Sequence, residues 1–210
     1  MLKSGERFSA KALIIATGVK RRKLNVEGEE NFRGRGVLES GKRDKDYVLG
    51  KSAAIVGGGD AALENALILA ETASSVFVIH RRGKFPARTE FVERAENNSK
   101  ITFLMETRLK KINGSEKVEV LELENLKSGE IFLLPVEAVL IRIGVEPNTE
   151  SLRGQIDLDE NGYVKIDSLC RTSAEGVWAI GDAANPIAPT VSSAVGMGAT
   201  AVKAISAWLK

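Results

Sequence analysis

The chain contains very little cysteine and histidine. Its 210 residues include one cysteine, Cys170, and one histidine, His80. A single cysteine excludes an internal disulfide and a cysteine-rich metal site, and a single histidine excludes a zinc site built on paired histidines. We therefore predict no metal centre. The scarcity of cysteine is compatible with a reducing compartment, and we expect a cytoplasmic protein.

A long apolar run and a strong charge imbalance are also missing. No stretch approaches the roughly 18 apolar residues of a membrane span, and the charged N-terminus, MLKSGERF, lacks the apolar region of a signal peptide. Lys and Arg number 30 against 28 Asp and Glu, and the net charge of +2 gives no electrostatic basis for binding nucleic acid or an anionic membrane. The hydrophobic content of 43% allows one or two cored domains.

The most informative stretch covers residues 52–82. An apolar run at residues 53–56 predicts a buried strand, and the triplet GGG follows it at once. A helical pattern comes next, and a second apolar run at residues 76–79 predicts another strand. Strand, glycine turn, helix and strand within roughly 30 residues is the arrangement of a βαβ nucleotide-binding unit. A glycine turn without a ligand is the alternative.

The small residues after the first strand suit a bound dinucleotide. Gly57 permits the tight turn, Gly59 lets a pyrophosphate approach the backbone, and Ala62 allows the helix to pack closely on the sheet. The phosphates would lie on free N–H groups at the positive end of the helix dipole. Asp60 is expected to cap this helix. The predicted phosphate-binding residues are Gly57, Gly58, Gly59, Asp60 and Ala61.

The end of the second strand predicts which nucleotide binds. An NAD site carries Asp or Glu there, about 20 residues after the glycines, to accept a hydrogen bond from the ribose 2′-OH. This chain has Arg81 and Arg82 instead. Guanidinium groups match a 2′-phosphate in charge and geometry. The sequence therefore favours NADPH over NADH, and the alternative is a solvated basic loop.

The remaining chain alternates between apolar runs and polar segments. Further strands are predicted at residues 12–15, 101–105, 108–112, 118–124, 131–135, 138–143, 162–166 and 177–180. Helices are predicted at residues 89–97 and 190–209, a loop at 20–36 and a charged linker at 37–51. Apolar strands alternating with helices imply a parallel sheet with covered faces and hence an α/β fold.

Five motifs occur in a characteristic order: IIATG at 14–18, VGGGDAALENA at 56–66, HRR at 80–82, RIGVEPNT at 142–149 and GVWAIGDAA at 176–184. Together they resemble the two-dinucleotide flavoprotein reductases, most closely the low-molecular-weight thioredoxin reductases. The resemblance implies a Rossmann-like three-layer nucleotide-binding domain for NADPH, residues 37–144, inserted in a partial FAD-binding domain, residues 1–36 and 145–210. It also implies a dimer, because the family is commonly dimeric.

The resemblance implies further cofactor contacts. On the NADPH side they are His80, Arg88, Ile143 and Gly144, with Arg88 as the candidate for a family arginine whose position lies near Pro86. On the FAD side they are Thr17, Gly18, Gly181, Asp182, Thr190 and Val191. Asp182 would bond the ribityl or pyrophosphate region of the flavin, and the helix that begins near Thr190 would face its C2 carbonyl. No catalytic residue is predicted.

The chain departs from the family at the redox centre. The family places a Cys-x-x-Cys-Asp motif just before the NADPH domain, and the spacing here puts Ser40 and Arg43 on the cysteine positions and Asp44 on the aspartate. A serine hydroxyl cannot form a disulfide, and an arginine is no nucleophile. Cys170 lies elsewhere in the chain and is interpreted as structural.

A second departure concerns the flavin. Nothing before Phe8 matches the first FAD fingerprint of the family, so FAD is expected to bind weakly or not at all to this chain alone. Two functions stay open. In one, the chain passes hydride from NADPH to FAD and on to an acceptor such as ferredoxin, a quinone or oxygen. In the other, it is an NADPH-binding module without turnover alone, a truncated or split reductase chain. Its expected partner is a second chain that supplies the N-terminal FAD half, or a second copy of itself.

Overall fold

The structure, a computed structural model, describes residues 5–210. Residues 1–4, which belong to the predicted segment 1–36 and to the charged N-terminus, lie outside the described residues. The chain divides into two compact units. The inserted unit is Arg21–Gly144, and the split unit combines Met1–Lys20 with Val145–Lys210.

The elements follow the predicted order closely. The strands are β1 Leu13–Ile15, β2 Val19–Arg21, β3 Val37–Leu38, β4 Ser52–Gly57, β5 Ser75–Ile79, β6 Ile101–Leu104, β7 Thr107–Asn113, β8 Val120–Asn125, β9 Ile131–Pro135, β10 Ala138–Arg142, β11 Val145–Pro147 and β12 Val177–Ala179. The α-helices are α1 Gly41–Asp44, α2 Asp60–Ala70, α3 Thr89–Glu96 and α4 Val191–Trp208. Short 3₁₀ helices occupy Lys45–Val48, Glu150–Leu152 and Gly181–Ala183.

The inserted unit contains a five-stranded parallel sheet in the order β3-β10-β4-β5-β6. The glycine-bearing strand β4 lies at its centre, paired with β10 on one side and β5 on the other. Because all five strands are parallel, their carboxyl ends meet at one edge of the sheet. This is the edge at which open α/β sheets bind their ligands.

The sheet is the middle layer of three. On one face, Ala53 and Ile55 of β4 pack with the buried side chains of α2. On the other face, Ala54 and Val56 pack with the antiparallel sheet β7-β8-β9. Successive strand residues point to opposite faces, so a strand buried on both faces has an unbroken apolar sequence. The predicted parallel sheet with covered faces is confirmed, and an antiparallel sheet covers the second face.

Helix α2 is bonded to a lysine where it ends. The Lys100 ammonium donates hydrogen bonds of 3.0 Å to the carbonyls of Ala70 and Ala73. These carbonyls have no partner within the helix, because the last turn of any α-helix leaves its C=O groups free. A cation there also interacts favourably with the negative end of the helix dipole.

The predicted linker at residues 37–51 is wrong, because this segment is folded. Val37 and Leu38 are buried as the edge strand β3. Val48 is fully buried and packs in the same core as α2. A two-residue strand followed by a one-turn helix is too short to show hydrophobic periodicity, so the charged residues around it dominated the pattern.

The inserted unit begins at Arg21, whereas the sequence placed the boundary at residue 37. Residues 21–36 belong to this unit because Phe32 is buried in its second core beside Val37 and Val118. Glu27 also forms an isolated bridge with Lys111 of β7. Apart from the first residues of the segment, which belong to β2, it is turns and loop, as predicted.

The split unit is built on two short strand pairs and one long helix. β1 pairs with β12 in parallel, with Ile15 opposite Ala179, and β2 pairs with β11. Trp178 is buried with Ala201 and Ala204 of α4. No helix among the described residues is long and apolar enough to cross a membrane.

The predicted strand at residues 162–166 is wrong. Val164 forms only an isolated bridge with Leu158. The backbone N–H of Val164 donates to Ala183, and that of Lys165 donates to Asp157. Because these bonds lead to separate loops and not to one neighbouring strand, the segment does not join a ladder.

Candidate functional site

The glycine turn at the end of β4 is sterically closed on one side. Gly57 has φ +151°, and a Cβ there would lie 2.1 Å from the carbonyl oxygen of Arg142 and 3.0 Å from the Cβ of Ala62. Ala62 itself is fully buried. The turn therefore requires glycine at Gly57 and a small residue at Ala62, as the sequence predicted from close packing of helix on sheet.

The following glycine positions have contrasting surroundings. A Cβ on Gly59 would meet nothing within 4 Å, so this side of the turn is open. Gly59 is also the N-cap residue of α2, with an extended backbone and no side-chain cap. Open space beside free N–H groups is the geometry that a pyrophosphate needs. Ala61 lies in the first turn of the same helix and is exposed.

Asp60 does not cap α2, and this prediction is wrong. Asp60 is the first helical residue, after the N-cap position. Its carboxylate instead accepts hydrogen bonds from the backbone N–H of Arg88 at 2.8 Å and from Arg88 Nε at 2.7 Å. The backbone and side-chain bonds from Arg88 lower the pKa of Asp60, against a smaller opposing effect of burial. The partner could not be read from the sequence, because it lies in the loop after β5.

Arg88 is placed beside the phosphate turn by this contact. Besides Asp60, its guanidinium pairs with Glu90 at 3.2 Å and lies over the ring of Phe91 at 4.8 Å. The Arg88 side chain is exposed. An exposed arginine next to the N-terminus of α2 is available to a phosphate group, as the resemblance implied.

Arg81 and Arg82 follow β5 at the carboxyl edge of the sheet and are exposed. Neither guanidinium forms an ion pair or a hydrogen bond within residues 5–210. The adjacent His80 is different, because it is buried and its ring contacts Phe85 with centroids 5.1 Å apart. The structure thus brings two free cations to the edge at which the glycine turn lies.

Ile143 and Gly144 follow β10 at the same edge. Ile143 packs partly against the second core, and Gly144 has φ +96°. Before them, the half-buried Arg142 donates to the carbonyls of Glu39 and Ile141, and Arg21 donates to the same Glu39 carbonyl. Burial, followed by the charge of Arg21, lowers the pKa of Arg142 to about 10. This arginine pair was missed, because it meets Glu39 only in the folded chain.

The positions aligned with the family's cysteines form a helix cap. Ser40 is the N-cap of α1, and its hydroxyl accepts from the Arg43 backbone N–H at 3.4 Å. The Asp44 carboxylate accepts from the backbone N–H groups of Glu39 at 2.8 Å and Ser40 at 3.0 Å, and from Arg43 Nε at 3.0 Å. Partial burial raises the pKa of Asp44, but these bonds outweigh it and the net pKa is lowered. The segment is held by hydrogen bonds where a redox pair would lie.

The residues expected on the FAD side gather at one end of the split unit. Thr17 and Gly18 follow β1, and Gly181 begins the 3₁₀ helix after β12. Because β1 and β12 are parallel, both turns lie at the carboxyl ends of the strands. A Cβ on Gly181 would lie 3.5 Å from Ala194, which places the N-terminal half of α4 against this turn.

Two side chains at this end have contrasting environments. Thr190 is the N-cap of α4, and its hydroxyl accepts from Ser193 N at 3.2 Å. Asp182 is half-buried, and its carboxylate has no hydrogen-bond or ion-pair partner in the part of the chain that the structure describes. Val191 is 83% exposed at the start of the helix. An acceptor-only carboxylate and a helix N-terminus fit the hydroxyl-bearing and carbonyl parts of a flavin nucleotide.

Cys170 is buried, and its Sγ donates to the Met197 carbonyl at 3.7 Å. Burial, with a smaller effect of Asp167, raises its pKa. A buried thiol with a raised pKa is poorly reactive. Within residues 5–210, no group of three His, Cys, Asp or Glu residues could hold a metal ion.

Comparison with known proteins agrees with this geometry. Residues 2–198 match the pyridine nucleotide-disulphide oxidoreductase family. The thioredoxin reductase of Streptomyces coelicolor is 37% identical over 199 residues, a match covering 94% of this chain and 62% of that protein. The thioredoxin reductase of Mycolicibacterium smegmatis is 39% identical over 205 residues, covering 97% of this chain and 66% of that protein. The chain thus spans just under two thirds of the length of these relatives.

Solved structures show the same relationship. The Lactococcus lactis thioredoxin reductase in its FR conformation has a TM-score of 0.86 at 32% identity, with 96% of this chain and 67% of that one covered. The T. acidophilum thioredoxin reductase has a TM-score of 0.84 at 30% identity, with 97% and 67% covered. The resemblance and the α/β Rossmann-like fold are confirmed. The chain belongs to the pyridine nucleotide-disulphide oxidoreductase family and is a thioredoxin reductase-like oxidoreductase of the FAD- and NAD(P)-binding class.

Proposed function

We propose that this chain is the NADPH-binding part of a flavin-dependent reductase, in which hydride passes from NADPH to FAD and then to an acceptor without a dithiol in this segment. The observation that carries the proposal is the pair of free guanidinium groups of Arg81 and Arg82, at the sheet edge that also bears the open glycine turn. Two unpaired arginines match a 2′-phosphate, and the open side of Gly59 accommodates a pyrophosphate.

Each group in the inserted unit has a separate binding task. The N-terminus of α2 binds the pyrophosphate through backbone N–H groups. Arg81 and Arg82 bind the 2′-phosphate, and Arg88 adds a third positive charge beside the turn. Asp60 holds Arg88 in place, since two hydrogen bonds join them. Ile143 and Gly144 line the path toward the nicotinamide end.

The split unit supplies the residues expected to hold the flavin. Asp182 would accept hydrogen bonds from its hydroxyl-bearing chain, while Thr17, Gly18 and Gly181 allow close approach of the backbone. The first turn of α4, at Thr190 and Val191, would favour negative charge near the flavin ring. FAD, when bound, supplies a two-electron acceptor for the hydride of NADPH.

The first experiment tests nucleotide choice. Replacing Arg81 and Arg82 by alanine should weaken NADPH binding by about 2–4 kcal/mol, because charge-assisted hydrogen bonds contribute about 1.5–3 kcal/mol each and do not add fully. NADH binding should change little, since NADH lacks the 2′-phosphate. Calorimetric titration of both nucleotides measures the difference, with Arg94→Ala on the exposed part of α3 as the matched control. Equal losses for both nucleotides contradict the proposal.

The second experiment tests the electron path. Ser40 and Arg43 occupy the family's cysteine positions, and Cys170 is the only thiol in the 210 residues. The chain should therefore not reduce thioredoxin with NADPH and added FAD. Acceptors that need no dithiol, such as a quinone or oxygen, are the ones to assay. Thioredoxin reduction at a rate typical of a disulfide reductase would refute this part.

The second candidate is an NADPH-binding module that has no turnover alone and works with a partner. It is favoured by the apolar side chains that the split unit exposes, among them Leu13 at 55%, Val195 at 67% and Val202 at 58%. The proposed partner is a chain carrying the other FAD half, or a second copy in a homo-oligomer in the cytoplasm. Flavin absorbance of the purified chain distinguishes the candidates: a stoichiometric FAD supports the reductase, and its absence supports the module.

A further inference from the structure

The imidazole of His80 lies against the glycine turn. A Cβ built on Gly58 would lie 2.3 Å from His80 Nδ1, 2.4 Å from Cε1 and 2.9 Å from Cγ, and these are its three nearest atoms. The ring therefore occupies the space next to the Gly58 α-carbon. Only 7% of His80 is exposed, although it directly precedes the exposed Arg81 and Arg82.

The loop after β5 holds the ring from its other side. His80 Nε2 lies 3.1 Å from the carbonyl oxygen of Lys84. The ring contacts Phe85, which is buried and makes an edge-to-face contact with Phe103 at 4.9 Å. The imidazole is thus wedged between the glycine turn and the 81–85 loop, so its position depends on both.

The hydrogen bond also determines the protonation of the ring. A carbonyl oxygen only accepts, so Nε2 carries the proton and donates it to Lys84. Burial, together with the charges of Arg82 and Arg81, lowers the pKa of His80 against the smaller opposing effect of Lys84. At neutral pH the ring is uncharged and its single N–H is already bonded. It has neither a charge nor a free donor for a phosphate.

From this contact we propose that His80 is a positioning residue that supports the glycine turn, and that it does not bind the 2′-phosphate of NADPH. The inference rests on the proposed function and refines it, because it divides the HRR motif into a support and two ligands. It also changes the implied role of His80, which the resemblance counted among the cofactor contacts. NADPH and NADH share the pyrophosphate that this turn would bind, so His80 should affect both nucleotides alike.

Nucleotide titration of the full chain tests this division. His80→Ala should weaken NADPH and NADH by the same factor, about 3- to 10-fold, and leave their affinity ratio unchanged. Arg81→Ala with Arg82→Ala should lower that ratio by at least about tenfold. The ratio should also respond in the same way to pH between 5 and 8 in wild type and His80→Ala. A loss confined to NADPH, or a pH dependence of the ratio that disappears in His80→Ala, would overturn the proposal.

A double-mutant cycle tests the contact itself. Gly58→Ala adds a methyl group that overlaps the ring, and it should weaken both nucleotides about tenfold or more, because overpacking displaces the backbone. His80→Ala in the same chain removes the obstacle and should recover part of this loss. Gly59→Ala is the matched control, because nothing lies within 4 Å of its added methyl group and His80→Ala cannot relieve it. Additive effects of Gly58→Ala and His80→Ala would overturn the proposal.

Melting temperatures of the same variants without nucleotide separate this inference from the proposed function. Gly58→Ala should lower the melting temperature by at least about 2 °C, and His80→Ala should reverse part of that loss. If the wild-type chain binds neither nucleotide, the proposed function fails, and this cycle still decides whether the ring supports the turn. If Gly58→Ala does not fold while the double variant does, the recovery supports the contact; additive losses refute it.

Discussion

Strands β4 and β1 are both apolar and both precede a glycine-bearing turn, yet their surroundings differ. β4 lies between two parallel neighbours, and every residue after Ser52 is buried. β1 has one neighbour, β12, and of its three residues only Ile15 is buried. Leu13 at its start is 55% exposed. An apolar sequence thus indicates a strand in both places, but the number of neighbouring strands decides how far it is buried.

The helices of the two units repeat this contrast. Leu63, Ala66 and Leu69 of α2 are fully buried against the central sheet. In α4 only Ala201 and Ala204 are buried, while Val191, Val195 and Val202 are exposed. The inserted unit therefore contains a core on each face of its sheet, whereas the split unit keeps an apolar surface that a partner could cover. We expect the inserted unit to be the more stable of the two.

Truncation of the same kind of side chain should have the largest effect in the inserted unit. Leu69→Ala should lower the free energy of unfolding by about 2–5 kcal/mol, because it opens a cavity in a closed core. Val202→Ala, on the exposed side of α4, should change it by less than about 0.5 kcal/mol. Urea denaturation followed by circular dichroism measures both. Similar losses at the two sites would break the contrast between the units.

Hydrogen exchange should report the next largest difference. Backbone amides of β4 and β5 should exchange at least roughly 100-fold more slowly than those of β1 and β12, because local opening costs more where a strand is paired on both sides. Mass spectrometry of peptic fragments resolves the two regions within one sample, so each serves as the control for the other. Equal protection would show that the split unit is as stable as the inserted unit, for example through self-association, and dilution then tests that explanation.

Asp44 should contribute less, and in a pH-dependent way. Its pKa is lowered in the folded chain, so its stabilisation is present above the ordinary carboxyl pKa of roughly 3.9 and is lost as pH falls through the lower folded value. Asp44→Asn should cost about 1 kcal/mol at pH 7, since the cap bonds to two backbone N–H groups weaken. The difference from wild type should shrink below about pH 4. A loss that stays constant down to pH 3 would contradict the cap.

Cys170 offers the smallest and most local measurement. Burial raises its pKa, so alkylation in the native chain should be slower than in urea by roughly tenfold or more. The rate should follow the opening of the split unit and should be unaffected by Leu69→Ala where the inserted unit remains folded. Ser173→Ala, which removes a hydrogen bond from the nearby Asp157 backbone, is a variant expected to increase it. Alkylation as fast as in urea would mean that the thiol is not protected.

The sequence was most informative where structure is local. The unit from β4 through α2 to β5 could be predicted because apolar runs, glycines and helical spacing lie within one short stretch. The bond between Asp60 and Arg88 could not, because its partners are far apart in the chain and an acidic residue beside a glycine turn has the same pattern as a cap. Nor could the layer β7-β8-β9 be assigned to the second face of the sheet, since strand patterns do not indicate what a strand packs against.

Resemblance added what local patterns could not. It identified the turns after β1 and β12 as one functional end, and the parallel pairing of these strands places them together. It grouped His80 with Arg81 and Arg82, yet burial separates the imidazole from the two exposed guanidinium groups. A motif states which residues occur in order, whereas their roles depend on which way each side chain points.

The contact of Lys100 with the end of α2 exposes the nucleotide turn to remote chemical modification. Acetylation of this lysine would remove the positive charge and weaken both bonds to the carbonyls of Ala70 and Ala73. The far end of the same helix presents the N–H groups that would bind the pyrophosphate. An acylating reagent that never reaches the nucleotide could therefore loosen its binding by fraying the opposite end of α2, and reductive methylation, which retains the charge, would have a smaller effect.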